Sequence, residues 1–158
     1  MNKFLFKTLV IVFIFTLQSC SYEPIFSGKN YKIAISDIKF EGDKKINRVI
    51  QNYLNLIKNY DDENVRKFSL IIKSEKQKVT TSRDSSGDPL KFEIIVTTSL
   101  DVIENKNLIL NRKIKRNNIY NNSSDKFELE QSEKIIIENI SENISKTIIG
   151  ILINLDAN

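Results

Sequence analysis

The chain of 158 residues has no histidine and a single cysteine. The first absence excludes His-based general acid–base chemistry and His/Cys metal sites. The second excludes a disulfide within the chain, because Cys20 has no second thiol to meet. Glycine is scarce, four in all, and neither a P-loop nor a GxGxxG fingerprint occurs, so phosphate-cradling loops have little to be built from. No internal repeat is present. Asp and Glu are scattered along the chain without a paired constellation in apolar surroundings. These absences together predict a protein that is not an enzyme, with no catalytic residue, no metal and no cofactor.

Long apolar runs are also lacking. The most apolar stretch, Leu9 to Phe15, is seven residues long, whereas a helix crossing the ~30 Å hydrocarbon core needs roughly 20. Lys3 and Lys7 precede or flank that run, and Leu17-Gln18-Ser19-Cys20 follows it. A positive leader, a short apolar segment and a small residue before the cut are the parts of an export signal. The Leu17–Cys20 stretch resembles the lipobox of bacterial lipoproteins, with Gln18 in place of the usual small or aliphatic residue. Residues 1–19 are therefore expected to be a signal peptide. The resemblance implies diacylation of the Cys20 thiol, cleavage before it and acylation of the new amino terminus, with palmitate-type chains. Two or three such chains exceed what stable membrane anchoring requires. Ser21, where inner-membrane lipoproteins tend to carry Asp, points to the outer membrane.

Removing the leader leaves 139 residues, enough for one domain with a sizeable core. Lys3 and Lys7 leave with it and no acid does, so the net charge falls from +4 to +2. A few surplus lysines on a solvated face account for that, and a nucleic-acid partner is not expected.

Residues 20–30 read as a lipidated tether, broken by Pro24 and Gly28. The folded domain is expected over 31–155. A first strand is expected at about 31–40, where the alternation of Tyr31, Ile33 and Ile35 slips phase near Asp37 before Ile38 and Phe40. Gly42-Asp43 supplies a stop and a helix cap. Over 44–59, Ile46, Val49, Ile50, Tyr53, Leu54 and Ile57 recur at three- and four-residue intervals, which predicts an amphipathic helix. A second strand is expected over 66–79, then a loop over 81–89 rich in turn formers. From Leu90 to Val102 apolar residues alternate with polar ones, Ile95 excepted, one face buried and one wet, which implies a largely antiparallel sheet covered on one side. Glu104–Asn107 predicts a hairpin turn into a fourth strand over 108–118. Asp125 and Glu128, at capping-box spacing, open a long helix to about 154. The order β-α-β-β-β-α predicts an α+β two-layer sandwich, a four-stranded, mostly antiparallel sheet with two helices on one face.

Taken together, the Cys20–Phe26 start, the helix carrying Asn47-Arg48 and Gln51-Asn52, the long hairpin of the second and third strands with a basic loop residue, and the final helix with acids near its start resemble the LptE (RlpB) family. These are outer-membrane lipoproteins of lipopolysaccharide assembly. The resemblance implies a plug inside an LptD-like β-barrel of the outer membrane that assists lipopolysaccharide transport, facing the periplasm and held by its lipid anchor. It also implies basic residues that meet the lipid's phosphates: Arg83 matches the loop position, and Lys126 the position at the start of the last helix. Arg can grip a phosphate bidentately. A Lys near a helix start opposes the helix dipole unless an anion neutralises it. The cluster Arg112-Lys113-Ile114-Lys115-Arg116 on the fourth strand has two readings, contact with phosphates or an acidic barrel wall, and an edge strand guarded by charge. The alternative role is a structural or adaptor lipoprotein of another envelope machine, in barrel assembly or transport.

Overall fold

The computed structural model describes residues 33–55 and 65–156. Its elements are β1 (Ile33–Gly42), α1 (Lys44–Asn55), β2 (Arg66–Arg83), β3 (Pro89–Glu104), β4 (Asn107–Asn121) and α2 (Lys126–Asp156). The signal peptide, Cys20, the tether and the expected continuation of α1 to residue 59 lie outside the described residues.

The sheet runs β1-β2-β3-β4 in sequence order, with β1 parallel to β2 and the other pairs antiparallel. Parallel neighbours need a crossover, and α1 lies in it. The phase slip legible near Asp37 is a bulge: the β1–β2 register shifts between Ile35 and Asp37. Ser36 is the extra residue, and its hydroxyl donates to the Phe68 carbonyl at 3.1 Å. One added residue restores the phase, so Ile33, Ile35, Ile38 and Phe40 all serve the helix-covered side. On β3 the alternation is realised: Ile94, Val96, Thr98, Leu100 and Val102 are buried. Against them pack Ile46, Ile50 and Leu54 of α1 and Ile137, Ile140, Ile144, Ile148 and Leu152 of α2. Both helices thus bury apolar stripes on one face, and the other face of the sheet carries the polar phase.

The junction of β1 and α1 is built by a few polar contacts. Gly42 has φ +89°, and the Asp43 N–H donates to the Ser74 carbonyl at 2.9 Å. Asp43 Oδ1 accepts the N–H groups of Lys45 and Ile46 at 2.9 and 3.1 Å, which caps α1. Asn47 is buried. Its Nδ2 donates to the Glu41 carbonyl at 2.9 Å, and the Ser74 hydroxyl lies 2.6 Å from its Oδ1. Asn47 is therefore a structural clamp between helix and sheet.

Three expectations shift. The loop expected over 81–89 is shorter, because β2 continues to Arg83 and β3 begins at Pro89. Thr80 and Ser82 fit a strand as well as a turn, and they pair with Phe92 and Lys91. β4 likewise runs past 118 to Asn121. Leu90 and Phe127, in phase with the core, are 49% and 70% exposed, since they sit at element ends beyond the helix–sheet overlap.

β1 ends opposite Ser74. Beyond it β2, β3 and β4 continue as a three-stranded arm, about 30 Å of β2 at ~3.3 Å per residue. That arm carries Arg83 at its end.

Candidate functional site

The arm ends in a tight loop organised by Asp84. Its Oδ1 accepts the N–H groups of Ser86 and Asp88 at 2.9 and 2.8 Å, and its own N–H donates to the Asp88 carbonyl at 2.9 Å. Gly87 takes φ +90° in open space, where a left-handed backbone is needed to close the loop. Arg83, the last residue of β2, donates from Nη1 to the Gly87 carbonyl at 2.7 Å. That bond uses one of five guanidinium donors on an exposed side chain.

Lys126 is the first residue of α2 and is exposed. Asp125 caps the helix, its Oδ1 accepting from Phe127 and Glu128 at 2.9 and 3.1 Å. The expected capping box is completed indirectly: the Asp125 N–H donates to Ser123 Oγ, which donates to the Glu128 carboxylate at 2.8 Å. Asn122 ties this turn to β3, its N–H reaching the Leu90 carbonyl and its Nδ2 the Pro89 carbonyl, each at 2.8 Å. Pro89 is also the register partner of Arg83. The backbones that carry Arg83 and Lys126 are thus both fastened at Pro89, and the two cations share one end of the sheet. Leu90 and Phe127 add exposed apolar surface there. Asp84, Asp88, Asp125 and Glu128 belong to the same end, so the cations act as local contacts within a mixed field rather than as a basic patch.

A second cluster lies below the tip on the helix side and was not singled out from sequence. Lys78 Nζ is 2.5 Å from Glu133 Oε1 and 4.1 Å from the Phe92 ring centre. The Tyr120 hydroxyl donates to the same Glu133 oxygen at 2.7 Å, and its ring lies 5.8 Å from that of Phe92. The signal was present in β2, where the core phase Phe68, Leu70, Ile72, Ser74 continues into Lys76 and Lys78. What closes over those lysines is an acid 55 residues away, which no local pattern shows.

Burial, and then the Glu133 hydrogen bond, push the Tyr120 phenol well above its ordinary value. Burial also works to raise the Glu133 carboxyl, but the hydrogen bonds from Lys78 and Tyr120 outweigh it and hold that group below 4.5. A depressed carboxyl stabilises the fold above its unfolded value and loses that contribution as pH falls through the folded value. A raised phenol contributes below about pH 10 and loses it as pH climbs past that. Glu133→Gln is therefore expected to flatten the stability decline as pH falls through the carboxylate range, and Tyr120→Phe to flatten the one above pH 10. Urea unfolding midpoints across pH measure both; a variant slope equal to wild type would remove the cluster from the titration.

The basic segment of β4 lies at mid-strand, away from the tip. Arg116 donates to Thr147 Oγ1 at 3.4 Å and to the Lys115 carbonyl at 3.0 Å. A groove of about 390 Å³ runs beside it, lined by Leu110 and residues 112–116 of β4 and by Thr147, Ile151, Asn154 and Leu155 of α2.

No family model and no curated protein sequence matches the chain. Solved structures do. The rare lipoprotein B from Shewanella oneidensis is similar over 77% of this chain and 97% of its own, with TM-score 0.59 and 14% identity. A minor lipoprotein from Acinetobacter baumannii is similar over 80% and 93%, with TM-score 0.57 and 12% identity. Lipoprotein B from Nitrosomonas europaea is similar over 75% and 83%, with TM-score 0.53 and 11% identity. With its β-α-β-β-β-α order, its open mixed sheet and its two helices, the chain has the fold of the rare lipoprotein B structures.

Proposed function

We propose that the chain is a lipid-anchored outer-membrane lipoprotein of the LptE kind. It plugs an LptD-like β-barrel and assists the passage of lipopolysaccharide to the outer leaflet, without enzymatic activity. The observation that carries this reading is the shared fold, which extends over 97% of the Shewanella lipoprotein, joined to a lipobox at Leu17–Cys20. The sheet supports it: the face opposite the helices is mostly polar and half-exposed, with Ile71, Ile95, Ile103 and Ile119 set among the polar residues, which suits a water-filled lumen. Arg83 and Lys126 stand at one end of the domain, where each can meet a lipid phosphate through a charge-assisted contact. The neighbouring Leu90 and Phe127 offer apolar surface to acyl chains.

Cross-linking in intact membranes, followed by mass spectrometry, tests the partnership. One dominant adduct with a large outer-membrane barrel protein is expected. Recovery of a different envelope complex would assign the adaptor role instead, and recovery of only free monomer would end the plug reading. The anchor is tested separately. Cys20→Ala is expected to abolish acylation and release the protein from the membrane fraction. The intact mass of mature wild type should exceed the polypeptide by two or three acyl chains; an unmodified mass rejects the lipoprotein assignment.

A further inference from the structure

The edge of β4 combines three features that the head-group reading leaves unused. It is open: β4 is the last strand of the sheet, and among the described residues no strand pairs with its outer side. It is cationic on both faces. Arg112 and Arg116 lie in the phase of buried Ile114, while Lys113 and Lys115 lie in the wet phase, opposite Ser99 and Thr97. No carboxylate among the described residues forms an ion pair with any of the four. Third, the groove is lined by five consecutive residues, 112–116. A cavity above one sheet face would be lined by every second residue, since side chains alternate. Lining by all five places the space beside the backbone, where a fifth strand would lie, with Thr147, Ile151 and Leu155 of α2 as its roof.

We infer that this edge is a docking slot for an acidic, extended segment of a protein partner, which adds to the sheet as a fifth strand. Main-chain hydrogen bonds hold such a strand, and alternate side chains set its identity. Residues opposite Arg112 and Arg116 point under α2, and those opposite Lys113 and Lys115 point to the wet face. The residue opposite Ile114 meets Ile114 and Ile151. The fitting sequence is two acids, one apolar residue and two acids, and it reads the same in either direction. A second copy of the chain does not fit. Antiparallel pairing of two β4 edges about Ile114 sets Arg112 against Arg116 and Lys113 against Lys115, and like charges directly opposite destabilise a pair. The charge that guards the edge against self-association therefore selects an acidic partner.

The test uses the full chain in mild detergent and a capped peptide with the core Glu-Glu-Ile-Glu-Glu, read by fluorescence anisotropy and by hydrogen exchange. Binding is expected to weaken with salt and to slow exchange at alternate amides of residues 110–118. Lys113→Glu with Lys115→Glu should weaken it by at least about tenfold. Both side chains are exposed and form no ion pair among the described residues, so circular dichroism should not change. Alternate N–H groups of an added strand face the edge, so of two peptides N-methylated at the central residue or at its neighbour, one should also bind at least about tenfold more weakly. Equal binding of both N-methylated peptides would show capture by charge alone and overturn strand addition. So would unchanged affinity of the lysine variant, or no peptide binding at all. Binding of phosphatidylglycerol vesicles through these lysines, with no peptide binding, would make the edge a membrane surface and reject the slot. Each result is independent of head-group binding at the Arg83 end.

Discussion

Gly42→Ala is expected to destabilise the domain by at least about 3 kcal/mol, one of the largest effects of any single methyl group in the chain. Two causes add. The residue has φ +89°, a backbone that L side chains rarely adopt, and a Cβ placed there would sit 1.9 Å from the Ser74 carbonyl oxygen. That oxygen accepts the Asp43 N–H at 2.9 Å. Relief would therefore have to break the bond that aims α1 across the sheet, and with it the Asn47–Ser74 contact. For a domain of this size the melting temperature should fall by roughly 10 °C. Two other glycines provide controls. Gly87 has φ +90° but nothing within 4 Å, so Gly87→Ala should carry only the conformational term, about 1 kcal/mol. Gly150 lies within α2 with open space around it, and Gly150→Ala should gain up to about 1 kcal/mol. Denaturant unfolding of the three variants measures this ranking. A Gly42→Ala protein within 1 kcal/mol of wild type would show that the junction is not the constraint described.

That junction also marks what a sequence can and cannot disclose. Gly42-Asp43 is legible as a stop and a cap because both act locally, through a positive φ and an Asp oxygen on the next turn. The bulge at Ser36 is legible as well, since a one-residue slip turns the apolar set to the wrong face unless the chain corrects it. Asn47 is different. On a helical wheel it is a polar residue beside the apolar stripe, and only its proximity to Ser74, 27 residues on, explains its burial. The ends of β2 and β3 escaped for a related reason. Turn formers such as Ser82 keep strand geometry when a partner strand offers its backbone, and that offer is not local.

The site divides in the same way. Arg83 and Lys126 are separate positions in the chain, and their shared location depends on Pro89 meeting β2 on one side and Asn122 on the other. The acids of the tip were visible in the sequence, but their arrangement was not: Asp84 turns one carboxylate oxygen to the loop backbone, and Glu128 is drawn to Ser123. Neither forms an ion pair with Arg83 or Lys126. The cluster at 112–116 was legible as charge on a strand. That both of its faces border one empty slot is a property of the sheet edge and the overhang of α2.

Arg83→Glu and Lys126→Glu are expected to weaken binding of lipopolysaccharide while moving stability in opposite directions. Arg83 contributes one exposed hydrogen bond to Gly87, so its loss should cost about 0.5–1 kcal/mol of stability. Lys126 stands at the positive end of the helix dipole, and an acid there should stabilise α2 by about 0.3–1 kcal/mol. Loss of a charge-assisted phosphate contact should cost roughly 1.5–3 kcal/mol of binding, on the order of ten- to a hundredfold in affinity, with repulsion added by reversal. Because Lys126→Glu strengthens the fold, a binding defect in that variant has no origin in unfolding. Arg83→Lys separates charge from geometry: if the guanidinium grips a phosphate bidentately, a point charge should restore only part of the affinity. If both cations meet one head group, the double mutant should depart from additivity. Binding of purified lipopolysaccharide to the four proteins of that cycle, together with their unfolding curves, measures every term. Wild-type affinity in the double mutant would remove Arg83 and Lys126 from the lipid site. It would leave the barrel partnership to be judged by cross-linking alone, since a plug can hold a lumen through its wet sheet face without touching the lipid.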